Sequence, residues 1–470
     1  MVSIKTKWMY GSGGAVYAAK EAAYTMFVLL FYTQVLGLSG TLTGLVISVS
    51  LLFDAVSDPL VGAWSDRWRS RLGRRRPFMI ASILPAGLGF IGLFTPPEVV
   101  SDSQYPLAAW LLFWSLWVRI AVTFFAIPHL AQSTDITQDY HERSKVIGAR
   151  MAVMFFVSVI LPAVALTTIF AERGGADGRF VSDRYFYYGV MSCVLVWLTG
   201  SVSSCLNAPI PAVSAHSHSM LKAFAKTFSN RNFRFLLGYD VFATVSYGVI
   251  VSLNMLAWIY FWEFSAFEIS LILAGPSLVA IGAVMATLSA WLHRFEKPQI
   301  LRFALGMMMV NGVWLYPPRL LGWWPENGEP LILWINLLFM FVFMYFFLLR
   351  AIMSQSIAAD IADEHDYRTG HRQEGSFFAA LNFSTKMASV LGPAYGGAVL
   401  DFIGLSREMP PGSVPEAVLN ALAAWYMAGA GAPLVVAFLL TFGMLLTRTD
   451  ITRMQGAVAQ RSTSDNQSGP

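Results

Sequence analysis

Long apolar runs, separated by short polar segments, occupy most of the chain. A helix needs about 20 mostly apolar residues to cross a lipid bilayer, and twelve segments meet or approach that length. This pattern predicts an all-α membrane protein with twelve transmembrane helices. The predicted spans are residues 15–38, 42–64, 78–94, 106–133, 146–170, 185–206, 233–261, 267–291, 300–316, 331–352, 377–400 and 419–447.

A polar segment, residues 207–232, divides the spans into six and six. It contains two prolines, two histidines and scattered basic residues, which is typical of a loop. We interpret residues 1–206 and 233–447 as two six-helix halves, joined by this cytoplasmic middle loop. A weak repeat supports the division, because RRRPF follows the second span and HRFEKPQILRF follows the eighth. Residues 448–470 are polar and predict a disordered cytoplasmic tail.

Composition indicates the class of protein, and the distribution of charge indicates its orientation in the membrane. Hydrophobic residues make up 56% of the chain and charged residues 13%, with a mean hydropathy of +0.56, and these values exclude a set of soluble domains. Of the 32 Lys and Arg residues, 22 fall on the side of the N-terminus, middle loop and tail, and 5 fall on the opposite side. The positive-inside rule therefore places both termini in the cytoplasm. We expect a multi-pass protein of the cell inner (plasma) membrane.

Two acids lie inside the second apolar span, directly before a dense basic loop. The stretch reads FDAVSDPLVGAWSDRWRSRLGRRRP, and its first two acids are Asp54 and Asp58. Residues four apart lie on one face of a helix. Because charges at membrane depth are costly and usually mark an ion path or substrate site, the pair predicts a cation site for a monovalent metal ion or a shared proton. The alternative is that both acids pair with basic residues to hold helices together.

Five basic residues lie inside spans or at their edges: Lys20, Arg119, Arg150, Arg350 and Lys386. Lys20 either pairs with one of the two acids or contacts the substrate directly. For Arg119 we favour an ion pair, and for Arg150 a role in substrate binding or gating. The charge of Lys386, on a helix rich in small residues, is placed to reach the acids of the first half and couple the two halves to the ion.

The remaining polar features indicate a transporter and not an enzyme. Residues 359–375 alternate acids and bases, and we interpret them as a cytoplasmic loop that either latches to the arginines of the first half or is merely solvated. The sequence has no nucleotide-binding glycine loop, no metalloprotease motif and no nucleophile elbow, and its two cysteines form no metal-binding pattern. We expect no cofactor and transport driven by an ion gradient. The expected partners are a small molecule, a monovalent cation and the bilayer, with no nucleic acid, and we expect a monomer.

The basic loop carries a resemblance to a known superfamily. GAWSDRWRSRLGRRRP resembles an extended form of the cytoplasmic loop motif of the major facilitator superfamily. More narrowly, KEAAYTMFVLLFYTQVLGLS, FDAVSDPLVG and ADIADEHDYRTGHRQEGSFFAALNFSTKMAS resemble the glycoside-pentoside-hexuronide:cation symporters, the family of the melibiose permease. The resemblance implies the major facilitator fold and a conformational latch at the loop. The matching latch residues are Gly62, Asp66, Arg67, Gly73, Arg74 and Arg75.

The same resemblance implies roles for the charges within the spans. It assigns Asp54 and Asp58 to the cation site, and it assigns to substrate binding Lys20, Glu21, Arg150 and Lys386. The family's sugar transporters commonly carry an acid in the fourth helix, where this chain has Ala126. This departure favours a proton over a sodium ion as the coupling ion, and a sodium ion would be held at the two aspartates. We therefore expect cation-coupled symport of a sugar or glycoside. The alternatives are a carrier of lysolipids or other amphiphiles, which similar eukaryotic proteins transport, and a non-transporting membrane sensor.

Overall fold

The computed structural model describes residues 2–137, 139–206, 228–369, 374–445 and 447–454. These residues form helices joined by turns, with one isolated β-bridge between Arg173 and Ala176. Ten of the described helices are long and apolar enough to cross a membrane. The all-α membrane prediction is confirmed.

The helices are numbered in chain order. They are α1 (Ile4–Ser12), α2 (Gly14–Ala22), α3 (Gly40–Arg67), α4 (Arg76–Leu93), α5 (Glu98–Ser101), α6 (Gln104–Ile136), α7 (Tyr140–Thr168), α8 (Ser182–Ser204), α9 (Arg231–Leu256), α10 (Ala266–Arg294), α11 (Lys297–Leu320), α12 (Pro330–Thr369), α13 (Glu374–Ser389), α14 (Leu391–Ile403) and α15 (Glu416–Leu440). Helix starts follow local capping chemistry. Ser39 caps α3, Asp139 caps α7, and Glu296 opens α11 with a capping box.

Two of the twelve predicted spans are helical but interrupted. The first continues from α2 into π-helical turns at Ala23–Val28 and Phe31–Val35. The eleventh consists of α13 and α14, which meet at Val390. A π-turn adds one residue to a helical turn and commonly marks a functional position. Neither interrupted span is among the ten long helices, so the number twelve stays a prediction.

One loop prediction was wrong. The segment that begins at residue 359 continues α12, which is 40 residues long and so spans about 60 Å, twice the thickness of a bilayer core. Neighbouring helices supply partners for its charges. Lys297 pairs with Asp360 at 2.6 Å, and Asn232 donates to Glu364 at 2.9 Å. The helix lasts to Thr369, and residues 370–373 lie outside the described residues.

Two compact units can be distinguished in the chain. The first comprises Met1–Ser214, Gly248–Ala274 and Val390–Trp425, and the second comprises Ala215–Tyr247, Gly275–Ser389 and Tyr426–Pro470. The predicted halves, middle loop and tail stay predictions. Residues 207–227 and 455–470, which include most of that loop and tail, lie outside the described residues, and residues 448–454 are helical.

Within the first unit the same turn occurs twice. The π-helical turns Phe31–Val35 and Ala257–Phe261 are followed by residues with positive φ, Gly37 at 75° and Glu263 at 53°. In both copies the next backbone N–H donates back across the turn, over 2.8 and 2.9 Å. We call the membrane side on which residues 36–39 lie the far side.

The two turns also meet. Gln34 and Tyr260 are 226 positions apart and occupy the same place in the two copies. The Tyr260 hydroxyl donates to Gln34 Oε1 at 2.9 Å, and both side chains are buried. The first and seventh predicted spans therefore end in the same turn, whereas the weak repeat in the sequence lies after the second and eighth spans.

Helices α3 and α14 cross on the far side without room for side chains. A Cβ on Gly44 would fall inside van der Waals contact with the Pro393 carbonyl, and one on Gly397 would do the same with the carbonyl of Gly40. Small residues let helix backbones approach this closely in membranes. The crossing is therefore a direct backbone contact.

An acid of α14 caps α3 at this crossing. The Asp401 carboxylate accepts hydrogen bonds from the Gly40 N–H at 2.7 Å, the Thr41 N–H at 2.9 Å and the Ser39 hydroxyl at 2.6 Å. The first N–H groups of a helix lack partners within the helix, and an anion there also complements the helix dipole. Asp401 thus connects α14 to the start of α3, a 28-residue helix that is distant in sequence.

Replacing this cap is expected to lower stability. Asp401→Ala removes every acceptor and should cost about 1 kcal/mol of unfolding free energy, the typical value for a helix cap. Asp401→Asn keeps one acceptor oxygen and should cost less. Thermal unfolding of the purified protein measures both changes. Equal melting temperatures for the two variants and the natural chain would contradict this role.

Candidate functional site

One carboxylate of α3 is shared by two buried cations. Lys20 Nζ lies 3.1 Å from Asp54 Oδ2, and Arg119 Nη1 lies 2.6 Å from the same oxygen. All three residues are at most 5% exposed. The second oxygen, Oδ1, is buried and has no hydrogen-bond partner among the described residues. The two positive charges beside Asp54 therefore exceed the single negative charge of its carboxylate.

Arg119 is held from two further sides. Its Nε donates to the Ser50 hydroxyl at 2.8 Å, and its guanidinium lies 4.4 Å from the centre of the Tyr24 ring. Ser50 lies one turn before Asp54 on α3, and Tyr24 lies in the first π-helical turn. Aromatic faces attract cations. The guanidinium is thus fixed by the first predicted span and by α3, while its own backbone belongs to α6.

Lys20 also contacts the acid that follows it. Its Nζ lies 3.5 Å from Glu21 Oε1 and 4.6 Å from the centre of the Tyr17 ring. The Glu21 side chain is 41% exposed, against 6% for Lys20. We call Lys20, Glu21, Asp54 and Arg119 the charge cluster. Glu21 is its accessible member.

Asp58 lies one turn further along α3 and is half-buried. The Thr123 hydroxyl donates to Asp58 Oδ1 at 2.9 Å. Thr123 and Arg119 are four residues apart on α6 and face α3 together. The same face of α6 therefore serves both aspartates, the first through a cation and the second through a hydroxyl.

The two other predicted substrate residues, Arg150 and Lys386, lie on other helices. Arg150, on α7, packs through its backbone against Gly14, and its guanidinium interacts electrostatically with His129 and Tyr10. It is 9% exposed. Lys386 is half-buried on α13, in the second unit, where its carbonyl accepts from the Ser389 hydroxyl at 2.7 Å. The structure joins Lys20, Asp54 and Arg119 directly but places Arg150 nearer the start of α2.

The basic loop is tied to the end of α6. Arg74 and Arg75 each contact Asp135 at 2.8 Å, one on each carboxylate oxygen. Arg75 also lies 3.3 Å from Asp66, and it donates to a backbone carbonyl of α6. Gly73 turns the chain with a φ of 91°, a conformation that favours glycine. The motif residues thus hold α3, α4 and α6 together.

The two other motif residues play different parts. A Cβ on Gly62 would lie 3.4 Å from the Ile127 side chain, in ordinary contact, so this glycine faces α6. Arg67 is the last residue of α3 and is exposed. Among the motif residues, the ion pairs are therefore concentrated at Asp66, Arg74 and Arg75.

Three residues of these networks were missed by the sequence analysis: Ser50, Thr123 and Asp135. A signal for the first two was present in the spacing. Ser50 precedes Asp54 by four residues and Thr123 follows Arg119 by four, so each lies on the same helix face as a buried charge. Asp135 carried no such signal, because its partners lie in the basic loop, far away in sequence.

A second buried polar group lies within the second unit. Arg350 donates to the Tyr239 hydroxyl at 3.0 Å, and the Ser354 hydroxyl donates to Asp240 Oδ1 at 3.4 Å. Asp240 and Arg350 are 9% and 7% exposed. Buried charges in a membrane protein usually have such partners. Arg350 is therefore a buried arginine held by neighbours of its own unit.

These sites consist of ion pairs and hydrogen bonds between charged and polar side chains. Within the described part of the chain, no group of three or more His, Cys, Asp or Glu residues has the arrangement of a metal site. The charge cluster instead combines two bases with two acids, of which Glu21 is partly exposed.

Comparisons with known proteins give the family context. A family model described as MFS/sugar transport protein matches residues 9–453. The chain is similar to the putative glycoside/cation symporter YagG of Escherichia coli (strain K12), with 26% identity over 87% of this chain and 85% of that one. It is also similar to the sodium-dependent lysophosphatidylcholine symporter 1-A of Danio rerio, with 28% identity over 35% of this chain and 30% of that one.

Solved structures show the same fold. The crystal structure of the nucleoside transporter NupG matches with a TM-score of 0.60 and 14% identity, over 94% of this chain and 99% of that one. At this identity the likeness concerns the fold alone.

Proposed function

Because the chain belongs to the MFS/sugar transport protein family, we propose that it is a cation-coupled symporter that carries a sugar or glycoside by alternating access. It is an integral membrane transporter and not an enzyme, since its family, its relatives and the matching structures are transporters. The description of the family and the name of the Escherichia coli relative support a sugar or glycoside.

The proposal includes a topology. Twelve spans form two six-helix halves, residues 1–206 and 233–447, with the major facilitator arrangement and both termini in the cytoplasm. Ten long helices and two interrupted ones at the predicted positions support the count, and the distribution of basic residues supports the orientation. The protein works as a monomer in the cell inner (plasma) membrane and needs no cofactor.

The observation that carries the proposal is the charge cluster. A buried carboxylate with two cations, in a protein that spans a membrane, costs free energy, and such charges usually mark an ion path or a substrate site. Asp54 and Asp58 form the ion-responsive pair, while Lys20 and Glu21 are placed to hydrogen-bond sugar hydroxyls. Glu21 suits this role because it is accessible and already paired with a lysine.

Arg150 and Lys386 are also proposed to contact the substrate. Arginine and lysine both donate to hydroxyl oxygens, and each lies on a different predicted span from Lys20. The basic loop acts as the conformational latch. Its contacts from Arg74 and Arg75 to Asp135, and from Arg75 to Asp66, support this role, because breaking them would free the ends of α3 and α6 from the start of α4.

A lysolipid carrier is the second candidate. It is favoured by the Danio rerio relative, whose name gives a lysophosphatidylcholine as its substrate, and by Ala126 at the place where an acid is usual in sugar transporters. A sugar site needs polar lining, whereas a lipid path needs an apolar slot. The substrate that the protein transports therefore distinguishes the two candidate functions.

Proteoliposomes test the proposal. A panel of glycosides and one lysophosphatidylcholine are offered under an imposed proton gradient and, separately, a sodium gradient. We expect gradient-driven accumulation of at least one glycoside, reduced tenfold or more by Asp58→Asn, because that change removes an ionisable oxygen from the coupling pair. Accumulation of the lysolipid alone would select the second candidate. No gradient-dependent uptake, or an unaffected variant, would refute coupled transport.

A further inference from the structure

We propose that Arg179 and Arg407 hold the far side closed through reciprocal contacts, and that the Arg179 contact is the main restraint on opening. Arg179 binds the turn that ends the seventh predicted span, and Arg407 binds the turn that ends the first. The inference rests on the proposed function, because a far side that opens and closes presupposes alternating access. It concerns two residues to which the family resemblance assigns no role.

The two arginines occupy corresponding places in the predicted halves. Arg179 lies between the fifth and sixth predicted spans, and Arg407 lies between the eleventh and twelfth. Arg179 Nη1 donates to the Phe264 carbonyl at 2.7 Å, and Arg407 Nη1 donates to the Leu36 carbonyl at 3.2 Å. Each connecting segment therefore reaches from one predicted half to the turn of the other, and the exchange runs in both directions.

The two carbonyls flank the residue with positive φ in each turn. Leu36 directly precedes Gly37, and Phe264 directly follows Glu263. Carbonyl groups at the end of a helix lack partners within the helix and need them from elsewhere. A cation at this end also complements the helix dipole. An arginine is therefore a chemically suitable partner for each turn.

The guanidinium of Arg179 is oriented by a neighbouring acid. Its Nε donates to the Asp177 carboxylate at 2.9 Å and its Nη2 at 2.6 Å, while Nη1 points to Phe264. The Tyr185 hydroxyl donates to the Arg179 carbonyl at 2.7 Å, and Arg179 is 5% exposed. Pairing of a guanidinium with both oxygens of a carboxylate fixes its direction. Little further side-chain freedom is lost when the Phe264 contact forms.

The segment around Arg179 packs closely at both of its ends. A Cβ on Gly178 would lie 2.8 Å from the Phe170 carbonyl, so the segment folds directly against the end of the preceding helix. Phe180 directs its ring edge at Tyr260, with 6.1 Å between the ring centres. Tyr260 is the residue that donates to Gln34 in the other turn. The segment thus supports the meeting of the two turns with both a charge and an aromatic ring.

The surroundings of Arg407 make its contact the weaker one. Arg407 is exposed, and its hydrogen bond to Leu36 is longer than that of Arg179 to Phe264. Water competes for an exposed hydrogen bond, and salt screens an exposed charge. A buried charge-assisted hydrogen bond is among the stronger kinds. We therefore expect opening of the far side to be limited by Arg179 and only slightly by Arg407.

Cysteine accessibility in the purified full chain in nanodiscs tests the inference without transport. Ala266 is 6% exposed and follows Phe264 closely at the start of α10. A cysteine there, in a Cys205→Ser background where the buried Cys193 also remains, reports uncovering of this turn. Arg179→Gln should raise its alkylation rate about fivefold or more, because the closed form loses its stronger contact. Arg407→Gln should raise the rate less than about twofold.

Arg173→Gln is the matched control. Arg173 precedes Arg179 in the same segment, but its guanidinium donates to the Thr168 carbonyl at 2.9 Å, at the end of α7. The change removes an arginine without touching either turn, so the alkylation rate of the reporter should stay that of the natural background. An acceleration equal to that of Arg179→Gln would show that losing any arginine of the segment suffices, and would overturn the assignment.

The natural Cys205 separates opening of the far side from general loosening. It is exposed and follows α8 at the end opposite to the Arg179 segment. In the chain without the reporter cysteine, Arg179→Gln should leave the alkylation rate of Cys205 unchanged. Equal acceleration at Cys205 and at the reporter would identify a structural defect of the whole unit and contradict the inference.

Two conservative variants test how Arg179 acts. Asp177→Asn keeps the arginine but removes the charge that orients it, so Asp177 is a positioning residue. Arg179→Lys keeps a cation that can donate to a carbonyl but loses the paired geometry. For both we expect alkylation rates of the reporter between those of the natural background and Arg179→Gln. A natural rate for Asp177→Asn would show that Asp177 does not position Arg179.

Two further results would overturn the inference. One is a folded Arg179→Gln protein, as judged by thermal unfolding, with the natural alkylation rate, and the other is an effect of Arg407→Gln as large as that of Arg179→Gln. If Arg179→Gln does not fold, Asp177→Asn and Arg179→Lys decide by the same measurement. Glycoside uptake with unchanged reporter rates would uphold transport and refute this inference. The expected reporter rates without any uptake would refute the proposed function and leave the two contacts as restraints on the far side.

Discussion

Asp54→Asn is expected to lower gradient-driven uptake at least a hundredfold and to destabilise the protein. The change leaves Lys20 and Arg119 buried with no carboxylate between them. Removing one partner of a buried ion pair typically costs about 3–5 kcal/mol, because the other charge stays uncompensated. Uptake into proteoliposomes and thermal unfolding measure the two effects.

A compensating change separates charge from structure. Arg119→Gln in the Asp54→Asn background removes one cation together with the acid, so Lys20 again has fewer like charges beside it. We expect this double variant to recover most of the lost stability. Interaction between two mutations in contact appears as a departure from additivity. A stability loss equal to the sum of the single losses would show that Asp54 and Arg119 do not depend on each other.

Gly44→Val is expected to reduce uptake tenfold or more by keeping the far side from closing. A side chain at this position would overlap the Pro393 carbonyl, and backbone contacts between packed helices cannot shift cheaply. A cysteine at Thr41, in a Cys205→Ser background where the buried Cys193 is the other cysteine left, reports the change. Its alkylation in nanodiscs should be several times faster in the Gly44→Val protein.

Gly431→Val is the control for this substitution. Gly431 also lies within a long helix, α15, but nothing lies within 4 Å of the place where its Cβ would be. Gly431→Val changes helix propensity by the same amount as Gly44→Val, but its side chain would not overlap a neighbouring atom. If the Gly431 and Gly44 variants transport and label alike, the crossing has no special role.

The apolar pattern predicted most of the fold because a bilayer imposes a fixed length on each helix. The prediction failed where a cluster of charged residues suggested a loop exposed to water. Residues 359–369 were interpreted as a loop, yet they continue α12, because Lys297 and Asn232 satisfy Asp360 and Glu364. Those partners lie more than 60 positions away in sequence, and no periodicity within the segment indicates them.

The candidate site was predictable only in part. Helical spacing placed Asp54 and Asp58 on one face, and the cost of buried charge required basic partners. Spacing does not say which helices are neighbours, so the candidate partners remained open. The structure selects Lys20 and Arg119 within the first unit. Asp401, which caps α3 from 361 positions away, had no signal at all.

The two copies of the far-side turn have the same backbone conformation, but they tolerate different residues at the position with positive φ. At position 37 the φ of 75° favours glycine, and a Cβ there would displace the flexible end of the Arg407 side chain. Position 263 has the same handedness of backbone, yet it is exposed and already carries a glutamate. The same backbone turn therefore favours glycine in one copy and accommodates a charged side chain in the other.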